Sequence, residues 1–377
     1  MGKKKVIIVS TVGLIYDGIT SVILSYLQAM NLSKMDIYVV STIKCEQSIK
    51  KSIQDLGCHI IELPSRKTET LKYAVQLTKF IRSQKIDVIH AHGNSATLTV
   101  EMLAGLLGGC KKRIAHSHNT QCEQVRADKM LRPLFYRLYT DAFACGKAAG
   151  EWLFGKQDFI VLNNGRDLEK FSFNEHLRDS MREKYDVREN LTFGHVGGFN
   201  PQKNHEFVLK IFREIIKIEA NAKCFFIGAG PLKEYIEKKA SDVKSNIIFV
   251  GTTDDVPAYL DMFDAMILPS IFEGLPLVAV EWQINGLPCI LSDTITSQCA
   301  VMDTVRFMSL NDDPKEWAKE IIRLARENVE KRSETSLEGK EKIKKAGYDI
   351  LENAKFLERA YLLRQHSVKG LFRNATI

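Results

Sequence analysis

Several familiar functional signatures are missing from this chain of 377 residues, and each gap removes a class of protein. The eight cysteines are scattered with no C-x-x-C, so neither a zinc ribbon nor a disulfide framework is indicated. Reduced thiols, as in a cytoplasm, are the expectation. No apolar stretch reaches the length that crosses a bilayer, and no repeat of the solenoid kind occurs. Residues 13–20, GLIYDGIT, have the form G-x-x-x-x-G-x-T. They miss the P-loop because Ile19 stands where its lysine must be, and they are not G-x-G-x-x-G. ATP hydrolysis and dinucleotide binding lose their main support, which leaves the reading of a glycine turn at Asp17-Gly18 that opens onto a cleft. The start, MGKKKVIIVS, imitates a secretion signal but lacks a small-residue cleavage site, and VIIVS reads as a first buried strand.

What is present describes a globular two-domain protein. Hydrophobic residues at 45% and charged residues at 26% are ordinary values, and the length is too great for one core. The net charge of +7 is concentrated in Lys111, Lys112 and Arg113 and in Arg126, Lys129, Arg132 and Arg137. The second group is interleaved with Leu131, Leu134, Phe135, Leu138 and Tyr139. Two readings stand open: a helix lying on an anionic membrane surface, or a core-facing helix with a solvated basic side.

Short β-branched runs alternate with helical stretches from end to end. VIIVS, IYVVS, HIIEL, DVIHAH, RIAHSH and AFACG form one set. After the charged stretch NEHLRDSMREKYDVREN, the runs TFGHVG, KCFFIG, NIIFVG, AMILPS and PCILSD form a second. This is the βαβ signature of parallel sheets covered on both faces. The expected fold class is α/β, with two facing doubly wound Rossmann-like domains, their boundary near residues 171–190. The amino-terminal domain is expected over 1–172, a donor domain over 188–350, and a crossover helix and tail over 351–377. Ligands of such sheets bind at the carboxyl ends of strands.

The most informative segment is 269–293, PSIFEGLPLVAVEWQINGLPCILSD. Glu273 follows a buried-strand pattern, and Gly274 and Pro276 mark the turn into a helix. A helix start offers free N–H groups and a positive end, which suits an anion. Glu281 lies further along that helix. Carboxylates flanking a bound diphosphate would repel it, so they are read as binding hydroxyls on either side. A molecule with hydroxyls on both sides of a diphosphate is a nucleotide sugar.

Other candidates cluster at strand ends. Lys203, after TFGHVG and before a helix starting at 204 or 205, could set its ammonium over phosphates. Gly228 and Gly230 end a strand and open a helix, either for close ligand approach or as a tight turn. Gly251 ends another strand, Thr252 and Thr253 could line a nucleobase slot, and Asp255 reads as a helix cap. His90 with His92, and His116 with His118, share strand faces in pairs. Four imidazoles could hold zinc. Hydrogen bonding is preferred, with His118 touching a sugar or its phosphate; the alternative for His90 is a histidine packed in the sheet and satisfied by backbone.

Taken in order and spacing, these motifs resemble a retaining glycosyltransferase of the GT-B fold, family 4, of the capsule and exopolysaccharide type found in Gram-positive bacteria. The resemblance spans nearly the whole chain and rests on E-x7-E (Glu273 to Glu281), QKNHEF, IGAGPL, FVGTTDDVPAYLDMFDAMILPS and NNGRDLEKF. It implies that Glu273 contacts the donor sugar with the amides of Gly274, Leu275 and Leu277, and that Glu281 holds the ribose. It further implies that Lys203 binds the diphosphate, that Gly18 lets the amino-terminal loop approach it, and that His118 lies near the sugar, with His116 a weaker candidate. No bound metal and no cofactor beyond the UDP-sugar substrate are implied. The leaving diphosphate helps deprotonate the acceptor, so no protein nucleophile is needed.

One departure stands out. The family carries arginine five residues before the lysine, and this chain has Gly198 there. Loss of such a charge-assisted contact is worth about 2–4 kcal/mol of transition-state stabilisation. Arg166, in NNGRDLEK where the family more often has an aliphatic residue, is the expected partial substitute. The resulting expectation is a cytoplasmic enzyme, peripheral at the inner face of the plasma membrane, moving a sugar from a UDP-sugar to a saccharide or lipid-linked acceptor, with no nucleic-acid partner. Gly198 motivates a second reading, a non-catalytic nucleotide-sugar-binding partner. An epimerase ranks third, disfavoured by the E-x7-E spacing.

Overall fold

The computed structural model describes residues 2–15, 17–41 and 45–363. The tail, 364–377, expected to follow the crossover helix, lies outside the described residues. The chain divides into two units: one runs to Gly165 and resumes at Gly347, the other is Arg166–Ala346.

The first unit is built on seven parallel strands: β1 Lys4–Ser10, β2 Met35–Ser41, β3 His59–Glu62, β4 Val88–Gly93, β5 Lys112–Ser117, β6 Asp141–Ala144 and β7 Ile160–Val161, in the order β3-β2-β1-β4-β5-β6-β7. The second has six: β8 Thr192–Val196, β9 Lys223–Ile227, β10 Ile247–Gly251, β11 Ala265–Leu268, β12 Cys289–Ser292 and β13 Val305–Met308, in the order β10-β9-β8-β11-β12-β13. Each order reverses direction once, between β1 and β4 and between β8 and β11. Such switch points are where doubly wound sheets open a crevice at the strands' carboxyl ends. Two Rossmann-like parallel sheets match the α/β expectation.

The second sheet shows why near-continuous apolar runs become parallel strands. Along β9, β11 and β12, alternate residues enter opposite cores. Cys224, Phe226, Ile267 and Ile290 pack with Val208, Phe212 and Trp317 on one face. Phe225, Met266, Leu268 and Leu291 pack with Tyr259, Met262 and Trp282 on the other. Period-two alternation between two buried faces reads in sequence as an unbroken hydrophobic run. Each fully buried large side chain contributes about 1.5–3 kcal/mol.

The seam differs from the expected 171–190. That stretch contains a helix, Glu175–Lys184, of the second unit, started by Asn174, whose side chain accepts from Leu177 N. Arg178 and Arg182 hold it down by donating to Asp264 and to the carbonyl of Met262. Charge there is structural, not the mark of a linker. The chain leaves the first unit at Gly165, where an added Cβ would stand 2.6 Å from the Cα of Ile350. The final helix, Ile350–Leu362, buries Ala354, Leu357, Ala360 and Tyr361 at helical spacing and packs on the helix Gly18–Ala29 within the first unit.

Candidate active site

In the second unit, two strand ends at the switch point are stitched together. After β8 the backbone passes Gly197, Gly198 and Phe199 into a single 3-10 turn, Pro201–Lys203, capped by Asn200. The helix His205–Ile218 begins directly afterwards. Asn204, left-handed at φ 53°, donates from its side chain to Pro269 O, and Ile271 N donates to Gln202 O. These bonds fix the loop after β11 against the loop after β8.

Glu273 sits on that second loop, its side chain only 9% exposed. Its Oε1 lies 2.7 Å from Lys203 Nζ and accepts from Ser270 Oγ at 2.9 Å, while Oε2 accepts from Gln202 Nε2 at 3.0 Å. Ser270 is held in turn by Ser292 and Thr294, whose hydroxyls both donate to its carbonyl. The helix Leu277–Ile284 then starts after Pro276, presenting N–H groups without intrahelical partners in its first turn. Gly274 is exposed, and Leu275 and Leu277 are half-buried at this helix start.

Glu281, one turn into the helix, pairs with Arg166. Arg166 Nε stands 2.7 Å from Glu281 Oε1, with the two side chains 6% and 12% exposed. Burial raises the Glu281 carboxyl above its ordinary value, and the Arg166 guanidinium pulls it back part of the way. The two acids of E-x7-E therefore each carry one cation: Lys203 for Glu273, Arg166 for Glu281. Arg166, expected as a stand-in at the diphosphate, is placed against the acid assigned to the ribose.

The glycines divide into two kinds. At Gly228 (φ 145°) a Cβ would collide with the carbonyl of Gly197, and at Gly230 (φ 158°) it would stand 2.5 Å from Phe199 O. These residues let the loop after β9 lie backbone to backbone on the loop after β8, where Gly197 N donates to Ile227 O and Phe199 N to Ala229 O. The structure thus supplies the tight-turn reading with its physical reason. Gly198 is different, since a Cβ there would make ordinary contacts at 3.4 Å to Asn200 and 3.5 Å to Ala229 O. Gly251 ends β10 at φ 84° with open space around it, and Thr252 beyond it is exposed. Asp255 occupies a cap position without making a side-chain cap bond, which corrects the cap expected there. Thr253 Oγ1 instead accepts from Asp255 N.

In the first unit, Gly18 opens the helix Gly18–Ala29, and Asp17 caps it by accepting from Thr20 N at 2.8 Å. Nothing lies within 4 Å of a Cβ on Gly18, so the chain is open there. The four histidines meet on one face of β4 and β5, because parallel register sets His92 beside His116. His90 Nε2 is 3.1 Å from His116 Nδ1, and His92 Nδ1 is 2.8 Å from His118 Nε2. His90 is packed in the sheet, as in the alternative reading, but its partner is the Tyr361 hydroxyl, 2.6 Å from its Nδ1, and not the backbone. His90, His92 and His116 bring ring nitrogens within 4.8 Å of one another and form the group that could hold a metal ion among the described residues.

The basic clusters are only partly free. Lys112 is buried and donates to the carbonyls of Ala360 and Leu363, and Arg113 donates to those of Leu138 and Cys110. Arg132 pairs with Asp128 at 2.8 Å and reaches Trp152 O. On the helix Val125–Leu138, Arg126, Lys129 and Arg137 stay exposed beside Met130 (75%) and Leu134 (45%), while Phe135 and Leu138 enter the core. The helix thus has a core-facing side and an exposed basic side. Among the described residues no helix is long and apolar enough to cross a membrane.

Residues 190–327 match the model of the family described as glycosyl transferases group 1, and residues 11–145 match that of glycosyl transferase 4-like proteins. A putative glycosyltransferase of Bacillus subtilis, EpsF, is 30% identical over 366 residues, covering 93% of this chain and 94% of that one. The chain belongs to the group 1 glycosyltransferases. A second relative of this glycosyltransferase, from Escherichia coli, is 26% identical over 61% of the chain and 64% of its own length. It is named UDP-Gal:alpha-D-GlcNAc-diphosphoundecaprenol alpha-1,3-galactosyltransferase. Among solved structures, HepE of Anabaena in complex with UDP aligns with a TM-score of 0.77 at 13% identity, covering 95% of this chain and 99% of that one. A glycosyltransferase from Rickettsia africae aligns at 0.78 and 13% identity over the whole of both chains. The glycosyltransferase thus has the GT-B fold.

Four further residues of this glycosyltransferase, Gln202, Ser270, Asn94 and Tyr361, support the singled-out side chains. Gln202 and Ser270 orient Glu273. The Asn94 side chain accepts from His118 N, and its carbonyl accepts from Trp152 Nε1. Gln202 and Ser270 adjoin the residues singled out, so their polarity beside a strand end was the available signal. Tyr361 carried none, being one aromatic on a helix whose apolar stripe needed filling.

Proposed function

We propose that the enzyme transfers a sugar from a UDP-sugar to a saccharide acceptor, a lipid-linked repeat unit of a surface polysaccharide, with retention of the donor's anomeric configuration. The observation that carries this reading is the pair of acid–cation couples, Lys203–Glu273 and Arg166–Glu281, set about the start of one helix at the β8/β11 switch point. The helix start and Lys203 take the diphosphate, since an ammonium has three N–H donors and can serve a phosphate while holding Glu273. Glu273, steadied by Gln202 and Ser270, accepts from sugar hydroxyls, with the amides of Gly274, Leu275 and Leu277 beside it. Glu281 takes the ribose hydroxyls, and Gly251 and Thr252 border the base. Gly18 and His118 of the first unit are assigned to the diphosphate and the sugar. Charge on the leaving UDP is offset by side-chain cations and a helix end, so this reading requires no metal. Support comes from HepE, which holds UDP on this fold, and from the Escherichia coli relative, named for a UDP-sugar donor and a diphospholipid acceptor.

Gly198 favours a second reading, a nucleotide-sugar-binding partner without turnover. Both are tested by incubating the enzyme with UDP-glucose, UDP-galactose and UDP-N-acetylglucosamine, with and without lipid-linked saccharide. UDP release and the product anomer would be followed by NMR. Lys203→Ala is expected to lower kcat about 10²- to 10³-fold. An inverted product would refute retention, and tight UDP binding with no turnover on any acceptor would favour the partner reading. Peripheral attachment at the inner membrane face is assigned to Arg126, Lys129, Arg137, Met130 and Leu134. Co-flotation with phosphatidylglycerol vesicles should be lost in an Arg126→Glu, Lys129→Glu double variant.

A further inference from the structure

The histidines of the first sheet are arranged with more order than packing alone requires. His90, His92 and His116 are at most 3% exposed, while His118, just past β5, is half-buried and forms the open end of the group. The rings sit in two layers. His90 and His116 lie side by side at an interplanar angle of 2°, and His92 and His118 at 25°. The layers lie 4.1 Å apart at the His90–His92 step and 4.2 Å at the His116–His118 step. Each layer is closed by one nitrogen-to-nitrogen hydrogen bond, and the inner layer is anchored by Tyr361 from the final helix.

A neutral imidazole has one N–H and one lone pair, and which nitrogen carries the proton is set by the bond the other makes. All four rings are held neutral: burial pushes His90 and His118 down to about 3 and takes His92 and His116 well below the ordinary histidine range. Across the His92–His118 contact one ring must donate and the other accept. His118 Nε2 is therefore committed, and its Nδ1 is left with a defined character. Asn94 fixes the same residue at its backbone, accepting from His118 N at 3.3 Å.

We propose that His92 is the positioning residue for His118, locking its tautomer and ring plane, with His90, His116 and Tyr361 as the buried stack that keeps His92 in place. This rests on the reading above in which His118 meets the donor sugar. Recognition of a neutral hydroxyl, which can donate or accept, gains direction only when the ring facing it cannot exchange tautomers.

The direct test is nitrogen NMR of the wild-type enzyme labelled with ¹⁵N-histidine. His118 should show one protonated and one unprotonated nitrogen, unchanged between pH 6 and 8. Two averaged signals would overturn the proposal. His92→Phe should lower kcat for UDP release at least about tenfold while leaving donor KM within about threefold. His92→Asn, which keeps a polar atom near the Nδ1 position, should recover most of the loss. His118→Ala combined with His92→Phe should be no worse than His118→Ala alone. If His118→Ala leaves turnover intact, the assignment of His118 to the sugar fails. If it abolishes turnover while a folded His92→Phe keeps full kcat, only the positioning role fails. Stoichiometric zinc in the purified protein would also overturn it, because a metal would take the lone pairs that these hydrogen bonds use.

Discussion

At the scale of single residues, the backbone separates glycines that hold the fold from one that leaves room. Gly228 and Gly230 combine left-handed φ with a backbone carbonyl where a Cβ would go, so alanine there carries both conformational strain and a clash. Gly228→Ala should destabilise the second unit by about 2 kcal/mol or more, read from urea unfolding. Gly198 meets neither obstacle, and Gly198→Arg should fold with wild-type stability. If the missing cation limits the enzyme, kcat should rise, by up to about 10²-fold if the full charge-assisted contact forms. An unchanged kcat would show that the site has adapted around its absence. Arg166 gives a second prediction with a definite sign. Ribose hydroxyls donate to an ionised carboxylate, so UDP affinity should persist above the Glu281 pKa and fall as pH drops through it. Arg166 holds that carboxyl down against burial. Arg166→Met should therefore move the acidic loss of affinity to higher pH, as measured by calorimetric titration of UDP from pH 5 to 8. An identical profile would argue against Glu281 as the ribose acceptor.

At the scale of elements, the final helix shows how a short segment completes a unit distant from it in sequence. Asp349 caps it by accepting from Leu351 N at 2.8 Å, Glu358 accepts from Asn31 N, and Lys112 closes its last carbonyls. Asp349→Ala should cost about 1 kcal/mol, seen as a lower melting temperature for the first unit, with UDP affinity retained. The strands and helices were largely legible because each central strand is an apolar run bounded by glycine or polar residues. β7 and β13 at the sheet edges were not: β7 is two residues long, too short for periodicity to register, and β13, VRFM, is interrupted by the exposed Arg306. The charged stretch 174–190 misled because composition reports charge and not partners: Arg178 and Arg182 face Asp264 and carbonyls instead of water. For the candidate site, Lys203, Glu273 and Glu281 could be picked out by their places after strands and along one helix. The pairing of each acid with one cation could not, because it depends on where loops from distant parts of the chain are pinned. The stacking of four histidines required the register of β4 against β5, which no local pattern specifies.

At the scale of the whole molecule, a few cations are internal and have structural partners. Lys112, Arg182 and Arg332 are buried, and all three donate to backbone carbonyls. Buried acids, among them Glu101, Asp128, Asp141, Asp261 and Asp264, offset these cations, so the net charge of +7 is carried by the surface. The buried titratable groups also divide unequally between the units. The first holds four neutral histidines lowered from 6.5, and the second holds His195 at about 4 and His205 at about 2. A histidine with a depressed folded pKa takes up its proton on unfolding. Its contribution to stability is complete above about pH 6.5 and is lost as pH falls towards the folded value, at up to about 1.4 kcal/mol per pH unit. Asp261 in the second unit has the opposite sign. Burial raises it to about 6, so protonation below that pH favours the folded form and offsets part of the histidine loss. Between pH 6 and 4 the first unit should therefore lose stability more than twice as steeply as the second and open first. Hydrogen exchange should show residues 88–118 losing protection at a pH where residues 223–268 keep it. Replacing His116 with Asn should shift that transition to lower pH. Simultaneous loss in both units would mean that the histidines are solvated, and so not neutral by burial.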